Sequence, residues 1–405
     1  MQSLGKELMK IKSLVLAISS VLCTTAVWAD NTVTTTTQGN YNTLSAEQQG
    51  GDGNSVSITQ TTDNNQSSTS QNGSSNSVFI TQYADGYTDA NGSGVATISQ
   101  AGFSNSVGLT QDNHNYYGNI GYVSNLLIDQ QGTSNSTGIL QSSQLGTNGL
   151  TVSQNGYSNG AGVNQFYGNG DTADISQLGW YNSASVNQTA WNGTNSASIS
   201  QESTSSLWGT GNTANITQDF GTSNTASITQ YGSSNQASIS QEGSNNTASI
   251  NQQGNYNYAN ISQTASYAQA SVSQIGDYNS IDIQQSDNNR PQIAQSGSSN
   301  TITINNVNWI PNQNFQSVTQ TGTSNSASID QSAGTNNYAN TVQTGSNDVV
   351  AAVQGGNQAD NVIVYQTGDN NASTISQDIS GVNTTIQTVV VTQTGYGNSA
   401  NVTQQ

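Results

Sequence analysis

Positive charge is nearly missing from this chain. Only four of its 405 residues are Lys or Arg. Three of them, Lys6, Lys10 and Lys12, precede the apolar run Leu14 to Val21 and the small-residue ending Val27-Trp28-Ala29 before Asp30. That order reads as a secretory signal peptide, residues 1–29, cleaved after Ala29; Met9 serves equally well as its start. The apolar run is too short to span a bilayer. The only cysteine, Cys23, lies in the same segment and follows Leu22 rather than the small residue a lipoprotein signal needs. Without residues 1–29, 21 acids face Arg290 alone, a formal charge of −20. Such a chain repels nucleic acid and anionic membrane, so neither is an expected partner, and no later segment is apolar enough for membrane insertion. It has no disulfide to hold it despite its export. One histidine, His114, builds no metal cluster, and no serine has a base at a recognisable spacing. The expectation is therefore no enzyme, no metal and no cofactor.

Leu, Phe and Met are scarce, and Ser, Thr, Asn, Gln and Gly dominate. Composition alone would place the chain among disordered or prion-like sequences, but the order of the residues is strict. From Gln230 the chain reads Q-x-G-x-x-N-x-A-x-I-x-Q to Gln241, and the same unit runs from Gln241 to Gln252. About thirty such units cover residues 54–405. Within N-x-A-x-I-x-Q the period is two, so Asn224, Ala226, Ile228 and Gln230 share one strand face. Asn235, Ala237, Ile239 and Gln241 repeat it, as do Asn246, Ala248, Ile250 and Gln252. This face carries the apolar residues and is the inner one. An odd repeat would flip the faces of a continuous strand, so a turn must reset the phase. Gly232, Gly243 and Gly254 supply the freedom for that turn. The expected fold is all-β: a β-solenoid of about fifteen two-stranded coils, with two facing parallel in-register sheets stacked as in cross-β at ~4.8 Å. Buried Gln and Asn then pair with their own copies above and below, which removes a penalty of ~1–3 kcal/mol for each unpaired group. The acids fall mostly in turns, among them Asp63, Asp112, Asp219, Asp277 and Asp369.

The unit resembles the curlin repeat: Gln230, Gly232, Asn235, Ala237 and Gln241 match Q-x-G-x-x-N-x-A-x-x-x-Q position by position, and Gln241, Gly243, Asn246, Ala248 and Gln252 match it again. The resemblance implies a functional amyloid, a subunit of curli-like fibres secreted to the bacterial cell surface, where it polymerises with itself for adhesion and biofilm matrix. It further implies a nucleator subunit, an outer-membrane secretion pore and periplasmic chaperones as partners. The chain has several times the repeats of a typical curlin, and it opens its strands with Asn where curlins often use Ser. Residues 30–53 stand outside the repeat and occupy the place of an export-targeting segment. The expected growth surfaces are the first regular strand, with Asn54, Val56, Ile58 and Gln60, once the segment ahead of it moves aside, and the last, with Asn398, Ala400, Val402 and Gln404.

Four stretches lengthen the repeat, around Asp85 and Asp89, His114 and Tyr116, Trp208, and Trp309, and are expected as outward loops. Pro291 stands in an alanine position and lacks the N–H that a strand needs. Two other functions are compatible with a solenoid: a monomeric surface adhesin, and an ice-binding protein. The second needs a flat threonine array, whereas Ser238, Ser240, Ser249, Asn251 and Asn260 make the outer positions mixed.

Overall fold

A computed structural model describes residues 30–404, apart from 62, 84–92, 114–122, 144–146, 191–192, 205–210, 287, 307–312, 332–335, 356–359 and 378–386. The four lengthened stretches, with Asp85, His114, Tyr116, Trp208 and Trp309, fall outside the described residues, as does Asp287 beside Arg290.

The described residues form 31 strands that alternate between two parallel sheets, one of 16 strands and one of 15. This is the expected β-solenoid, each coil giving one strand to each sheet. Pairing is in register. The strand Thr225–Ser233 lies beside Thr247–Asn255 with Ala226 on Ala248, Ile228 on Ile250 and Gln230 on Gln252. Alternation of small hydroxyl and apolar residues makes each strand two-faced, and the inner faces of the two sheets meet in the core. Ile228, Ile239, Ile250 and Ile261 are fully buried there.

The apolar core divides in two, the larger cluster running from Val56 to Ala339 and the smaller from Val350 to Val391. The division falls where the isoleucine position is filled by Thr341 in one sheet and Ala352 in the other. Thr341 is buried, and its hydroxyl has no partner. Pro291 is accommodated inside a strand, but pairing with the preceding coil begins only at Gln292.

The two edges of the rod differ. Crossing from the smaller sheet to the larger, the chain takes five residues from the inner Gln to the next inner Asn or Asp (Gln295 to Asn300, for example), except at Gln48–Asn54 and Gln201–Asn212. On the other edge the crossing varies from 4 residues at Gln285–Asn289 to 13 at Gln111–Ser124. The constant edge is set by glycine. Gly297 has φ +120°, and a Cβ there would lie 1.9 Å from the carbonyl oxygen of Gly322 in the next coil. The following residue but one also takes positive φ without being glycine, as at Ser234, Tyr256 and Tyr278.

The start of the solenoid differs from expectation. Residues 30–53 carry the strands Thr32–Gln38 and Thr43–Gln49, which stack on the next coil in register. Asn42, Leu44, Ala46 and Gln48 keep the repeat's inner pattern. Asn31, Val33, Thr35 and Thr37 keep its spacing, but with Thr opposite Ile58 and Gln60.

Candidate assembly surface

The functional candidates among the described residues are the ladders that run the length of the rod and the strands at its ends. The glutamine ladder comes first. Each inner Gln donates one amide N–H to the Gln of the next coil: Gln218 to Gln241 at 2.8 Å, Gln241 to Gln263 at 2.9 Å, Gln230 to Gln252 at 2.9 Å. The same nitrogen reaches across to the opposite strand, as from Gln241 to the Thr225 carbonyl at 3.1 Å. The ladder thus ties coil to coil and sheet to sheet, and every rung donates toward the C-terminal end. In the smaller sheet it runs without interruption from Gln48 to Gln393. In the larger sheet it breaks at Asn306. That side chain is one methylene short, and its Nδ2 and Oδ1 are buried without partners.

The asparagine ladder stabilises the turns. Asn212 Oδ1 accepts the backbone N–H of Asn235 at 3.1 Å, and Asn235 Nδ2 donates to the Gly254 carbonyl at 2.7 Å. One Asn therefore satisfies a donor at the next strand's start and an acceptor in the glycine arc. All twelve expected ladder residues, Asn224 through Gln252, are buried. Gly232, Gly243 and Gly254 have φ of +115°, +93° and +120°.

Three acids occupy this ladder and were not singled out from the sequence: Asp171, Asp348 and Asp360. Their phase gives them away, since Asp348-x-Val350-x-Ala352-x-Gln354 is the repeat with Asp for Asn. Burial pushes the Asp171 carboxyl up to about 6, against the N–H of Asn195. Burial also raises Asp348, where hydrogen bonds from Asn371 oppose the shift and the charge of Asp369 adds to it. Asp360 is raised by burial and held back by the N–H of Gln387. Turn acids also accept backbone donors. Asp277 accepts the N–H of Asn255 at 2.7 Å, and Asp63 accepts that of Asn40.

At the C-terminal end of the described rod, Asn398, Ala400, Val402 and Gln404 lie on the outermost strand of the larger sheet and are half-buried. The expected N-terminal surface is covered in this structure by the segment ahead of it. Asn54, Val56, Ile58 and Gln60 are fully buried under the strand Thr32–Gln38, and Thr32 N–H donates to the Asn54 carbonyl at 2.8 Å. Spacing alone was enough to stack the preceding segment, because every second residue still points inward. The strands exposed at that end are Thr32–Gln38 and Thr43–Gln49. Thr37 in a glutamine position leaves Gln60 Oε1 without a partner. The signal lay in Asn42-x-Leu44-x-Ala46-x-Gln48, obscured by the threonines ahead of it.

Among the described residues no group of three His, Cys, Asp or Glu is placed to hold a metal, and no helix is long and apolar enough to cross a membrane. No curated protein matches the chain. The model of the curlin-associated repeat matches it three times, at residues 51–83, 147–179 and 221–254. Those stretches hold the glutamine rungs, asparagine caps and glycine arcs described above, and the same arrangement continues between and beyond them: the chain carries curlin-associated repeats.

Proposed function

We propose that this protein is the structural subunit of an extracellular curli-like fibre, polymerising end to end at the bacterial cell surface for adhesion and biofilm matrix. The observation that carries the reading is the in-register stack itself. A ladder of identical side chains repeated every coil has no built-in stop, and a further coil extends it with the same hydrogen bonds. The two ends suit each other. Gln404 accepts from Gln377 and offers its own amide onward, and at the other end the ladder of the smaller sheet opens at the half-buried Gln48, which donates to Gln71. Soluble solenoids close their ends with atypical polar repeats. Thr35 and Thr37 give the first coil that character in part, so the two ends should grow at different rates. In this reading residues 1–29 are the export signal, and residues 30–53 serve secretion before they join the stack. A nucleator subunit, an outer-membrane pore and periplasmic chaperones are the partners the family implies. The role is structural, not enzymatic.

Electron microscopy and fibre diffraction of the purified mature chain test this. Unbranched fibres with a meridional spacing of ~4.7–4.8 Å and an equatorial one of ~10 Å are expected. A chain that stays monomeric at every concentration is instead a surface adhesin, and the fibre reading fails.

A further inference from the structure

The asparagine ladder is interrupted by acid in three places, and at each the geometry is incomplete in the same way. On the glycine edge an Asn in this position uses both ends of its amide, whereas on the other edge Asn148 and Asn337 leave Nδ2 without a partner. Asn325 accepts the backbone N–H of Asp348 at 3.0 Å through Oδ1, and its Nδ2 donates to the carbonyls of Thr321 at 3.3 Å and Gly345 at 3.1 Å. The aspartates perform the first half of this task. Oδ1 of Asp171 accepts the Asn195 N–H at 2.8 Å, and Oδ1 of Asp360 accepts the Gln387 N–H at 3.1 Å. Oδ1 of Asp348 accepts both the N–H and Nδ2 of Asn371, at 2.9 and 3.0 Å. The second half is missing. All three residues are fully buried, and Oδ2 of each has no partner. In register, Gly368 follows Gly345, so Oδ2 of Asp348 takes the place from which an amide would donate to the Gly368 carbonyl. An ionised carboxylate there sets oxygen against oxygen; a neutral acid has an O–H to donate.

We propose that Asp171, Asp348 and Asp360 are proton-binding sites of the solenoid, each relieved of a buried, unpartnered anionic oxygen when its Oδ2 is protonated, with Asp348 then completing the asparagine ladder, so that the stack tightens in mild acid. The surroundings agree. The ladder neighbours of Asp171 are Asn148 and Asn195, those of Asp360 are Asn337 and Gln387, and those of Asp348 are Asn325 and Asn371. None of them carries charge. Asp369 in the coil after Asp348 is the one further acid acting on these three among the described residues, and it too favours the proton. Burial lifts all three carboxyls, Asp171 to about 6. A group that holds its proton more tightly folded than unfolded adds stability as pH falls through its folded pKa, and the gain is complete below its unfolded one. For Asp171 that window runs from about 6 down to its ordinary 3.8, a change of roughly a hundredfold in the folding equilibrium.

The test uses dilute, monomeric mature protein, so it holds whether or not the chain polymerises. Denaturant unfolding is followed from about pH 8 to about pH 4.5. Three proteins are compared: wild type, the buried triple variant Asp171→Asn, Asp348→Asn, Asp360→Asn, and a surface triple variant Asp174→Asn, Glu202→Gln, Glu242→Gln that removes equal charge from exposed positions. Wild type and the surface variant should gain at least about twentyfold over that range. The buried variant should be nearly flat, and more stable than wild type at the alkaline end. Acid stabilisation that persists in the buried variant, or that vanishes in the surface one, overturns the proposal. Infrared spectra of wild type at about pH 5 provide a reading that needs no variant. A protonated-carboxyl carbonyl band should be present while the chain is folded, and its absence is equally fatal.

Discussion

The break in the glutamine ladder can be repaired, and the repair needs two substitutions together. Asn306 is too short to bridge Gln285 and Gln331, and both its polar atoms are buried without partners. The neighbouring strand has adjusted. Gln316 stands in an alanine position and donates to Gln331 Oε1, the acceptor that a full-length rung at 306 would use. Its own Oε1 is then left buried and unpartnered. Three unsatisfied atoms are thus confined to one coil, and each carries a penalty of ~1–3 kcal/mol. Restoring the repeat with Asn306→Gln and Gln316→Ala removes all three and returns Gln331 to the ladder. The double variant should be ~2–4 kcal/mol more stable than wild type, discounting the gross sum for partial relaxation. Asn306→Gln alone overfills the coil and should cost ~1–3 kcal/mol. Gln316→Ala alone leaves a void beside an unrepaired Asn306 and should also destabilise. A double-mutant cycle by denaturant unfolding reads the coupling, and hydrogen exchange at the Gln331 amide reports it locally. If the double variant is no more stable than wild type, or the two changes simply add, the ladder is not what makes glutamine the residue of choice here.

Other tests follow from the same geometry. Gly297→Ala forces a Cβ to within 1.9 Å of the Gly322 carbonyl at positive φ, and should cost at least ~3 kcal/mol. Gly138→Ala meets nothing within 4 Å, and should stay within ~0.5 kcal/mol of wild type by thermal unfolding. Thr341→Val keeps the shape and removes a buried, unpartnered hydroxyl at the division between the two core clusters, so a gain of ~1–2 kcal/mol is expected by thermal unfolding. Gln241→Ala strips a partner from Gln218 and Gln263 and should slow fibre assembly far more than Ser240→Ala on the exposed face; equal lag times would show that the ladder plays no part in growth. Added salt should shorten the lag, because residues 30–405 carry −20 and screening limits repulsion to ~8 Å at physiological ionic strength. A lag that lengthens with salt contradicts this.

Most of the fold was legible because the repeat states it many times over. Period two set the inner face, and the odd unit demanded a turn. The glycine in that turn told where the chain reverses. What was not legible has physical causes. The first coil hid because Thr35 and Thr37 share the shape of strand residues but not the chemistry of Ile and Gln, and spacing proved sufficient to stack them. The buried acids hid because Asp is ordinarily a turn residue; only its phase in Asp171-x-Ala173-x-Ile175-x-Gln177 shows that it sits inward. The second positive-φ position also escaped notice. Tyr256 and Tyr278 adopt it at φ 56° and 58°, and their rings stack 4.9 Å apart, a conformation that their residue type would not suggest.

The unequal edges of the rod bear on how such a chain changes over generations. A glycine arc contacts the arc of the next coil through its backbone, and that edge departs from its five-residue crossing only at Gln48–Asn54 and Gln201–Asn212. The opposite crossings already range from 4 to 13 residues while the strands they join remain in register. One margin therefore acts as a ruler and the other as a register of accepted insertions. Foreign peptides for display belong on the second. Placed between Gln141 and Asn148, or between Gln188 and Asn195, such inserts would recur along a fibre at intervals fixed by the unaltered margin.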